Sequence, residues 1–261
     1  MVFLKTEEEI ELLRESNRIL GMTLAEVAKA IRPGVTTKQL DKIAHDFILD
    51  NGAIPSCLGY EGFPATLCTS VNEQIVHGIP SDKVVLKDGD IITIDTCVLK
   101  NGFHGDSAYT FPVGEVSQEV MRLLRTTKQC LYNGIEQAIV GKRLGDVSFA
   151  IQSNAEKAGF SVVRDFVGHG IGREMHESPE VPNYGRRGNG IVLKRGMVIA
   201  IEPMIALGKN NVIFEEDGWS NHTADRKPAA HYELSVAINK GKADVLSTFE
   251  YIKEVLGDRY I

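Results

Sequence analysis

Leu86-Lys-Asp-Gly-Asp-Ile-Ile-Thr-Ile-Asp95 and Leu193-Lys-Arg-Gly-Met-Val-Ile-Ala-Ile-Glu202 are two versions of one segment, separated by 107 residues. Five of their ten positions are identical, and a carboxylate closes both. The same offset places Gly34 on Gly141, outside this segment. Because two regions agree on one offset, we expect two homologous halves, each with two helices followed by strands, related by an approximate twofold axis.

Both copies predict a buried strand that ends at an acidic residue. Ile91–Ile94 and Val198–Ile201 are continuous apolar runs after a glycine, which is typical of central strands. Asp95 and Glu202 follow them directly, and a buried carboxylate is costly unless it is paired or bound to a metal. One such carboxylate would more often cap a turn, but a symmetric pair favours a shared site.

Two amphipathic helices are predicted before the first of these strands. Thr6–Ile31 and Thr36–Asn51 carry apolar residues at helical spacing, and each opens with a Thr-x-x-Glu or Thr-x-x-Gln capping box. Pro33-Gly34 separates them. The pattern predicts an α+β fold in a single domain, residues 1–261, with half-repeats at approximately 6–115 and 116–250.

A second aspartate is predicted to approach Asp95 through a hairpin. Asp106 follows Asp95 by eleven residues, and Asn101-Gly102 between them is a strong signal for a two-residue turn. The spacing alone is a weak sign of a metal site. On a hairpin that continues a buried strand it becomes more specific.

Three histidines lie in glycine-rich surroundings. His169 stands between two glycines, whose lack of side chains suits a metal ligand or a close backbone approach. His176 follows seven residues later, and His77 in His77-Gly-Ile-Pro80 resembles this arrangement in the first half. Each histidine by itself is equally compatible with an ordinary structural role.

The last candidate ligand lies on an apolar segment near the end of the chain. Ala230–Ile238 predicts a strand that carries Glu233, and alternation puts His231 on the same face. A charged residue within such a strand needs a partner.

These acidic residues and one histidine form a hard, oxygen-rich ligand set. It is too acidic for one zinc ion and suits two divalent ions, although the sequence does not choose among Co, Mn, Fe(II) and Zn. Paired ions assist hydrolysis of acyl bonds. The candidate metal ligands are Asp95, Asp106, His169, Glu202 and Glu233.

Composition narrows the class of protein. The chain has 261 residues, a net charge of −6 and a pI near 5.7, which argues against a nucleic-acid or membrane surface as its main partner. The four cysteines show no metal-finger spacing and no disulfide framework. The acidic start of the chain is unlike a signal peptide, and no apolar stretch suits a membrane span. We therefore expect a cytoplasmic protein.

The ligand set resembles the metal site of the methionine aminopeptidases in order and spacing. Ser70–Pro80, Gly168–Arg173, Pro182–Gly185 and Ile201–Met204 are similar to segments typical of the type I enzymes. Only 32 residues separate the candidate ligands in the second half, His169 and Glu202, which leaves no room for the type II insertion. The resemblance covers nearly the whole chain and implies the pita-bread fold, an antiparallel central sheet covered by helices in two pseudo-twofold-related halves.

The resemblance also implies roles for single residues. Asp106 and Glu233 would bridge two metal ions, Asp95 would chelate one, and His169 and Glu202 would hold the other. Glu202 would also accept a proton from water.

The remaining roles concern the substrate. His176 would bind the scissile carbonyl, and His77 would contact the substrate backbone near the leaving group. A methionine pocket is implied from soft and aromatic side chains. Without the motifs around them, these pocket residues would be interpreted as ordinary core. The residues are Cys57, Tyr60, Phe63, Cys68, Met175 and Trp219.

Two residues near the site depart from the family or add to it. Members commonly carry glutamine at position 231, and His231 is predicted to add a titratable group near the metals. Cys97 shares the face of Asp95, where a quiet core thiol is the more ordinary case and an oxidation-sensitive site is the alternative.

The implied function is co-translational removal of initiator methionine from nascent polypeptide N-termini, with preference for a small second residue. A transient ribosome contact and a monomeric state are expected. Two alternatives stay open. The first is an X-Pro aminopeptidase or dipeptidase on the same fold. The second is a binding module of this fold without catalysis, which the intact ligand set disfavours.

Overall fold

Five α-helices and fourteen strands make up the computed structural model, which describes residues 1–261. The helices are α1 (Glu7–Ala30), α2 (Thr37–Asp50), α3 (Gln118–Gln137), α4 (Leu144–Lys157) and α5 (Glu250–Leu256). The strands of the first half are β1 (Ile54–Pro55), β2 (Cys68–Val71), β3 (Ile91–Lys100) and β4 (Phe103–Pro112). Those that follow are β5 (Ser161–Val162), β6 (Gly168–Gly170), β7 (Glu177–Val181), β8 (Val198–Ile201), β9 (Met204–Ala206), β10 (Val212–Phe214), β11 (Asn221–Thr223), β12 (Ala229–His231), β13 (Leu234–Ala237) and β14 (Asp244–Val245).

The first two helices begin where their caps predict. The Thr6 side chain accepts a hydrogen bond from the backbone N–H of Glu9, whose carboxylate accepts one from Thr6 in return. Thr36 and Gln39 form the same reciprocal pair at the start of α2. Each pair satisfies two backbone donors that would otherwise lack partners in the first helical turn.

The offset of 107 residues also relates the boundaries of helices and strands in the first half to those in the second half. α2 and α4 begin and end at positions that differ by this offset, and so do β1 and β5. α1 and α3 end at positions that also differ by 107, and β3 and β8 begin at positions that do so. Gly89 and Gly196, one residue pair within the repeat, adopt left-handed φ angles of 89° and 85° before those strands. The tight turn that feeds the central strand is therefore the same in both halves.

All pairs of named strands are antiparallel. β4 pairs with β3, which also pairs with β1 and β2, whereas β14, β13, β8, β6 and β7 form a second sheet. Across the middle, the N–H of Glu233 donates to Ala108 O (2.9 Å), and Ser107 Oγ donates to Glu233 O (2.7 Å). These bonds join the two sheets at the centre of the molecule.

Two local predictions were wrong. Asp95 does not end its strand, because β3 continues to Lys100 and pairs with β4 along its whole length. The predicted strand Ala230–Ile238 is interrupted at Tyr232-Glu233, so that β12 and β13 belong to different sheets. The interruption coincides with the bonds between Glu233 and β4, which replace the regular ladder there.

One large hydrophobic core lies between helices and sheets. It includes apolar residues of α1 to α5 and of the central strands, with Leu20, Leu40, Ile92 and Ile199 fully buried. This packing holds β3 and β8 rigidly beneath the site described below. The helices lack the combination of length and hydrophobicity that crossing a membrane requires.

Candidate metal centre and substrate cavity

A cavity of about 400 Å³ opens between the two sheets. It brings together every metal, catalytic and substrate residue predicted from the sequence. Its polar side is lined by His77, Asp95, Asp106, His169, His176, Glu202 and Glu233, and its soft side by Cys57, Tyr60, Phe63, Cys68, Met175 and Trp219. Residues as far apart in the chain as 57 and 233 therefore share one space.

The β3–β4 hairpin places the two aspartates side by side. Lys100 pairs with Phe103 across the turn at Asn101-Gly102, and both turn residues have positive φ angles of 52° and 79°. In this register Asp95 pairs with Ala108, and Asp106 pairs with Cys97. Paired residues project to the same side of the sheet, so the two carboxylates are diagonal neighbours on one face. The predicted hairpin is confirmed.

His169 is held on β6 by two close backbone approaches. A Cβ on Gly168 would lie 2.4 Å from Ala200 O, and a Cβ on Gly170 would lie 2.4 Å from Ser178 O. Both flanking glycines are required by packing against the neighbouring strands. His169 Nδ1 donates to Gly170 O (2.9 Å). That bond leaves Nε2, the other ring nitrogen, free to bind a cation.

Glu202 follows β8 directly, at the point the repeat predicts. Its carboxylate oxygens lie 3.6 Å from His169 Nε2 and 3.7 Å from His231 Nε2. Its backbone carbonyl accepts a hydrogen bond from the Asn183 side chain (2.9 Å). The side chain is therefore fixed at its base, with the carboxylate in the cavity.

The buried polar atoms of this cluster lack enough partners within the protein. Asp106 Oδ1 and Glu233 Oε1 are buried without a hydrogen bond. Ligand atoms of Asp106, His169 and Glu233 lie within 4.8 Å of one another. Buried oxygen atoms without donors are costly, and a cation supplies the missing interaction. The donor set of carboxylates and one imidazole fits divalent cations.

The charges of the cluster lead to the same conclusion. Burial, followed by the charge of Asp106, raises the pKa of Asp95 and of Glu233 well above the usual range. Burial raises the pKa of Glu202 to about 8. Burial opposes the charged form of His169, but the nearby carboxylates of Asp106 and Glu202, each 3.6 Å from Nε2, outweigh it and raise that pKa to about 9. A divalent cation would remove this mutual repulsion of carboxylates.

The soft side of the cavity consists of sulfur atoms and aromatic rings. Cys57, Phe63, Cys68 and Met175 are buried in one small apolar cluster, against which Trp219 packs. The Phe63 and Trp219 rings meet edge to face with centroids 5.1 Å apart. An unbranched apolar side chain fits such a lining, because polarizable sulfur and aromatic groups adapt to it.

Two histidines stand at the edge of the cluster. Tyr60 Oη and His176 Nδ1 are hydrogen-bonded at 2.8 Å, and the His176 ring lies 4.3 Å from that of His169. His77 has a left-handed φ of 58°, and its ring contacts Phe166 and Trp219. Burial lowers the pKa of both His77 and His176, so both rings are neutral at pH 7.

His231 lies at the site, as predicted from strand alternation. Both ring nitrogens are buried without a hydrogen-bond partner, and Nε2 is 3.7 Å from Glu202. Burial lowers the pKa of His231 to about 3. The ring is therefore neutral next to Glu202, and its effect on the pH profile stays a prediction.

Sequence reasoning did not assign a role in the cavity to several residues that line it. Glu61 lines the main cavity in a left-handed conformation. An adjoining cavity of about 230 Å³ shares His77 and His176 and adds Phe166 and Glu180. The only sequence signal for Phe166 was its place just before the glycine-rich segment of His169. Nothing in the local pattern distinguished the exposed Glu180.

Comparison with known proteins agrees with this site. The model of metallopeptidase family M24 matches residues 11–240. The methionine aminopeptidase of Clostridium perfringens is 53% identical over 247 residues, which cover 95% of this chain and 99% of that protein. A methionine aminopeptidase structure from Rickettsia prowazekii matches with a TM-score of 0.93 and 40% identity, over 95% of this chain and 100% of that one. A prolidase from Pyrococcus horikoshii has a TM-score of 0.76 at 20% identity, covering 94% of this chain and 63% of that one, and shows a shared fold alone.

The predicted pita-bread fold is confirmed by these structural matches. The family match spans most of the chain and both acidic copies of the repeat. The cavity adds an independent argument, since its buried carboxylates and imidazole fit divalent cations. This chain belongs to metallopeptidase family M24.

Proposed function

We propose that this chain removes N-terminal methionine from polypeptides by hydrolysis assisted by two divalent cations. One observation carries the proposal. A single cavity joins a cluster of buried carboxylates and imidazole to a pocket of sulfur and aromatic side chains. The first part suits activation of a peptide bond, and the second suits a methionine side chain. The similarity to methionine aminopeptidases over nearly the full length of both chains supports the same function.

Five residues would hold the cations. Asp106 and Glu233 lie at the centre of the cluster and would contact both, since each has an oxygen without a partner in the protein. Asp95 would complete one site, and His169 and Glu202 the other. When bound, the cations would supply Lewis-acid activation of water and of the scissile carbonyl. Their identity among Co, Mn, Fe(II) and Zn is not distinguished by this donor set.

The protein's own groups would move the proton. Glu202 has an elevated pKa and lies between two imidazole rings, which suits a group that accepts a proton and then releases it. It would accept the proton of the attacking water and pass it to the leaving amine. The free α-amine of the substrate would bind at the same cluster, which explains cleavage at the chain end only.

The two neutral histidines would bind the peptide backbone. Tyr60 occupies Nδ1 of His176, so Nε2 is available to donate to the carbonyl oxygen as negative charge develops on it. His77 lies where the two cavities meet and would contact the backbone beyond the scissile bond. The smaller of the two, bounded by Phe166, would receive the second residue. Its limited volume favours a small side chain there.

The proposed reaction implies the substrates, the compartment and the partners of the protein. The substrates would be nascent polypeptide N-termini in the cytoplasm, approached by a monomer with a transient contact to the ribosome and no specificity for nucleic acid. We further propose that residues 1–261 act as one catalytic domain, with half-repeats at approximately 6–115 and 116–250. The short spacing between His169 and Glu202 supports assignment to type I.

The two alternatives are less well supported. An X-Pro aminopeptidase or dipeptidase would share the carboxylate cluster, but the pocket of Cys57, Phe63, Met175 and Trp219 has the character of a methionine site. A non-catalytic binding module would not need to keep every predicted ligand within one cavity.

The test is release of free methionine from the peptide Met-Ala-Ser. The protein is treated with EDTA and assayed before and after addition of Co or Mn, with Glu202→Ala as the inactive variant and an Ala-Pro dipeptide as the alternative substrate. We expect metal-dependent release that the variant lacks. Cleavage of Ala-Pro in preference to Met-Ala-Ser would favour the proline-specific alternative. Absence of both activities in a folded, metal-loaded protein would contradict the proposal.

A further inference from the structure

Three thiols converge in the soft side of the cavity. Cys57, Cys68 and Cys97 all line it, and each is buried with between 3% and 8% of its surface exposed. All three are free thiols. The proposed hydrolysis uses Cys57 and Cys68 only as apolar lining and does not use Cys97 at all. A cluster of three reactive groups in one substrate pocket therefore calls for a chemical explanation of its own.

The backbone brings the thiols together from three segments. Ser56 N donates to Cys97 O (3.0 Å), which fixes Cys57 beside β3. Cys68 on β2 pairs with Asp95, two residues before Cys97 on the same face of β3. All three cysteines belong to one packed apolar cluster, together with Phe63 and Met175.

We propose that these thiols form a peroxide-sensitive site in which Cys57 is oxidised and then joined by a disulfide to Cys97 or Cys68. In the first step the Cys57 sulfur attacks hydrogen peroxide, the O–O bond breaks, the thiol proton passes to the departing hydroxide, and a sulfenic acid and water form. In the second step the neighbouring thiol attacks the Cys57 sulfur, an S–S bond forms, and hydroxide leaves as water once protonated. Two thiols and one peroxide give one disulfide and two waters.

The order of the steps follows from position. Cys57 is the most exposed of the three, at 8% against 6% for Cys68 and 3% for Cys97, and it packs in the same cluster as both. A small oxidant that enters the cavity reaches it first, and either neighbour can resolve the sulfenic acid before further oxidation. The disulfide would draw the segment after β1, which carries Cys57, towards β3 or β2. Since this segment lines the soft side of the cavity, oxidation would narrow it.

The consequence for activity rests on the proposed function, in which this side of the cavity receives the methionine side chain. Oxidation would then exclude the substrate reversibly. Free L-methionine, which would occupy the pocket, is expected to protect the thiols. Oxidation of Met175 in the same lining is separable, because thiol reductants reverse a disulfide and leave methionine sulfoxide unchanged.

The experiment treats the full chain with hydrogen peroxide, with and without a chelator that excludes metal-catalysed oxidation. Remaining thiols are alkylated, and disulfide-linked peptides are identified by mass spectrometry. Cys57→Ser removes the thiol that is proposed to be oxidised first, and the double variant Cys68→Ser/Cys97→Ser removes both resolving thiols. Cys130→Ser is the matched control, since Cys130 is a fully buried thiol on α3, remote from the cavity.

We expect a reducible disulfide that contains Cys57, formed at about the same rate in Cys130→Ser as in the wild type. In Cys57→Ser the only remaining cavity pair, Cys68 and Cys97, should form a disulfide at least about tenfold more slowly. The double variant should stop at the sulfenic acid, and it carries the test if Cys57→Ser does not fold. Unchanged thiols in the wild-type chain, or a disulfide that forms equally well without Cys57, would overturn the inference. If the disulfide forms but methionine gives no protection, the thiol site stands and the pocket assignment fails. If methionine is released enzymatically and no disulfide forms, the pocket assignment stands and the thiol proposal fails.

Discussion

Replacing Glu202 by glutamine is expected to stabilise the metal-free protein while abolishing hydrolysis. Burial raises the pKa of Glu202 from 4.5 to about 8. At pH 7 the folded chain therefore holds a proton that the unfolded chain has released. At about 1.4 kcal/mol per pKa unit, the interval from 4.5 to pH 7 costs about 3 kcal/mol of folding free energy. Glutamine keeps the shape of the side chain and has no charge to bury.

Part of this gain is offset at His169. Its Nε2 lies 3.6 Å from Glu202 Oε1, and that carboxylate contributes to a pKa raised to about 9. Because Glu202 is mostly protonated at pH 7, losing its carboxyl group next to His169 costs at most about 1 kcal/mol. The net expectation is about 2 kcal/mol of stabilisation, which corresponds to a rise of about 5 °C in Tm for a chain of this length.

Both pKa shifts act in the same direction with pH. A carboxyl group whose pKa rises on folding destabilises the fold progressively as pH increases from 4.5 to about 8. A histidine whose pKa rises on folding contributes stability below 6.5 that is lost as pH rises through about 9. We expect the metal-free wild-type chain to lose stability from about pH 5 to about pH 9, and Glu202→Gln to lose less.

The assay is urea unfolding of EDTA-treated protein across this pH range, repeated with added Co or Mn. Glu180→Gln, which removes an exposed carboxylate near the cavity, is the control and should match the wild type. With metal the order should reverse, because the wild-type site binds cations more tightly and gains more stability from them. A Glu202→Gln variant less stable than wild type in EDTA, or with the same pH dependence, would refute the reasoning.

Three further predictions concern the other sides of the cavity. His176→Ala should lower kcat about 100-fold, because it removes a donor to the developing oxyanion. Metal affinity measured by calorimetry should be unchanged, and weaker metal binding would instead make His176 a ligand. Trp219→Ala should raise KM for Met-Ala-Ser about tenfold, since it removes apolar contact with the substrate, and a loss confined to kcat would contradict that role. Gly168→Ala should lower the free energy of unfolding by about 1–3 kcal/mol, because its Cβ would lie 2.4 Å from Ala200 O, and unchanged urea midpoints would disprove the close approach.

Much of the fold could be predicted because its signals are local. The capping boxes of α1 and α2 lie within single helical turns, and the Asn101-Gly102 turn determines the register of β3 with β4. The repeat at an offset of 107 residues then carried the helices and the central strand of the first half into the second. The candidate ligands could be proposed for the same reason. A carboxylate after a buried strand, or a histidine between two glycines, is unusual enough to be noticed without a structure.

The sequence predicted less well wherever a distant segment interrupts a local pattern. Alternation from Ala230 to Ile238 suggested one strand, but the bonds between Glu233 and β4 break it in two. β3 continues past Asp95 because β4 pairs with it along its full length. In both cases hydrogen bonds to residues far along the chain outweigh the local preference.

The sequence by itself determined the repeat, the helices and hairpin with their caps and turn, and the choice of the acidic and histidine candidate ligands. Only the tertiary structure decided that Cys57, Cys68 and Cys97 share one cluster, that Phe166 and Glu180 line an adjoining cavity, and that both nitrogens of His231 are buried without partners. The physical reason is that ligand identity and turn chemistry depend on neighbouring residues. Contact between side chains of separate segments depends on how the two halves pack, and no local spacing encodes that packing.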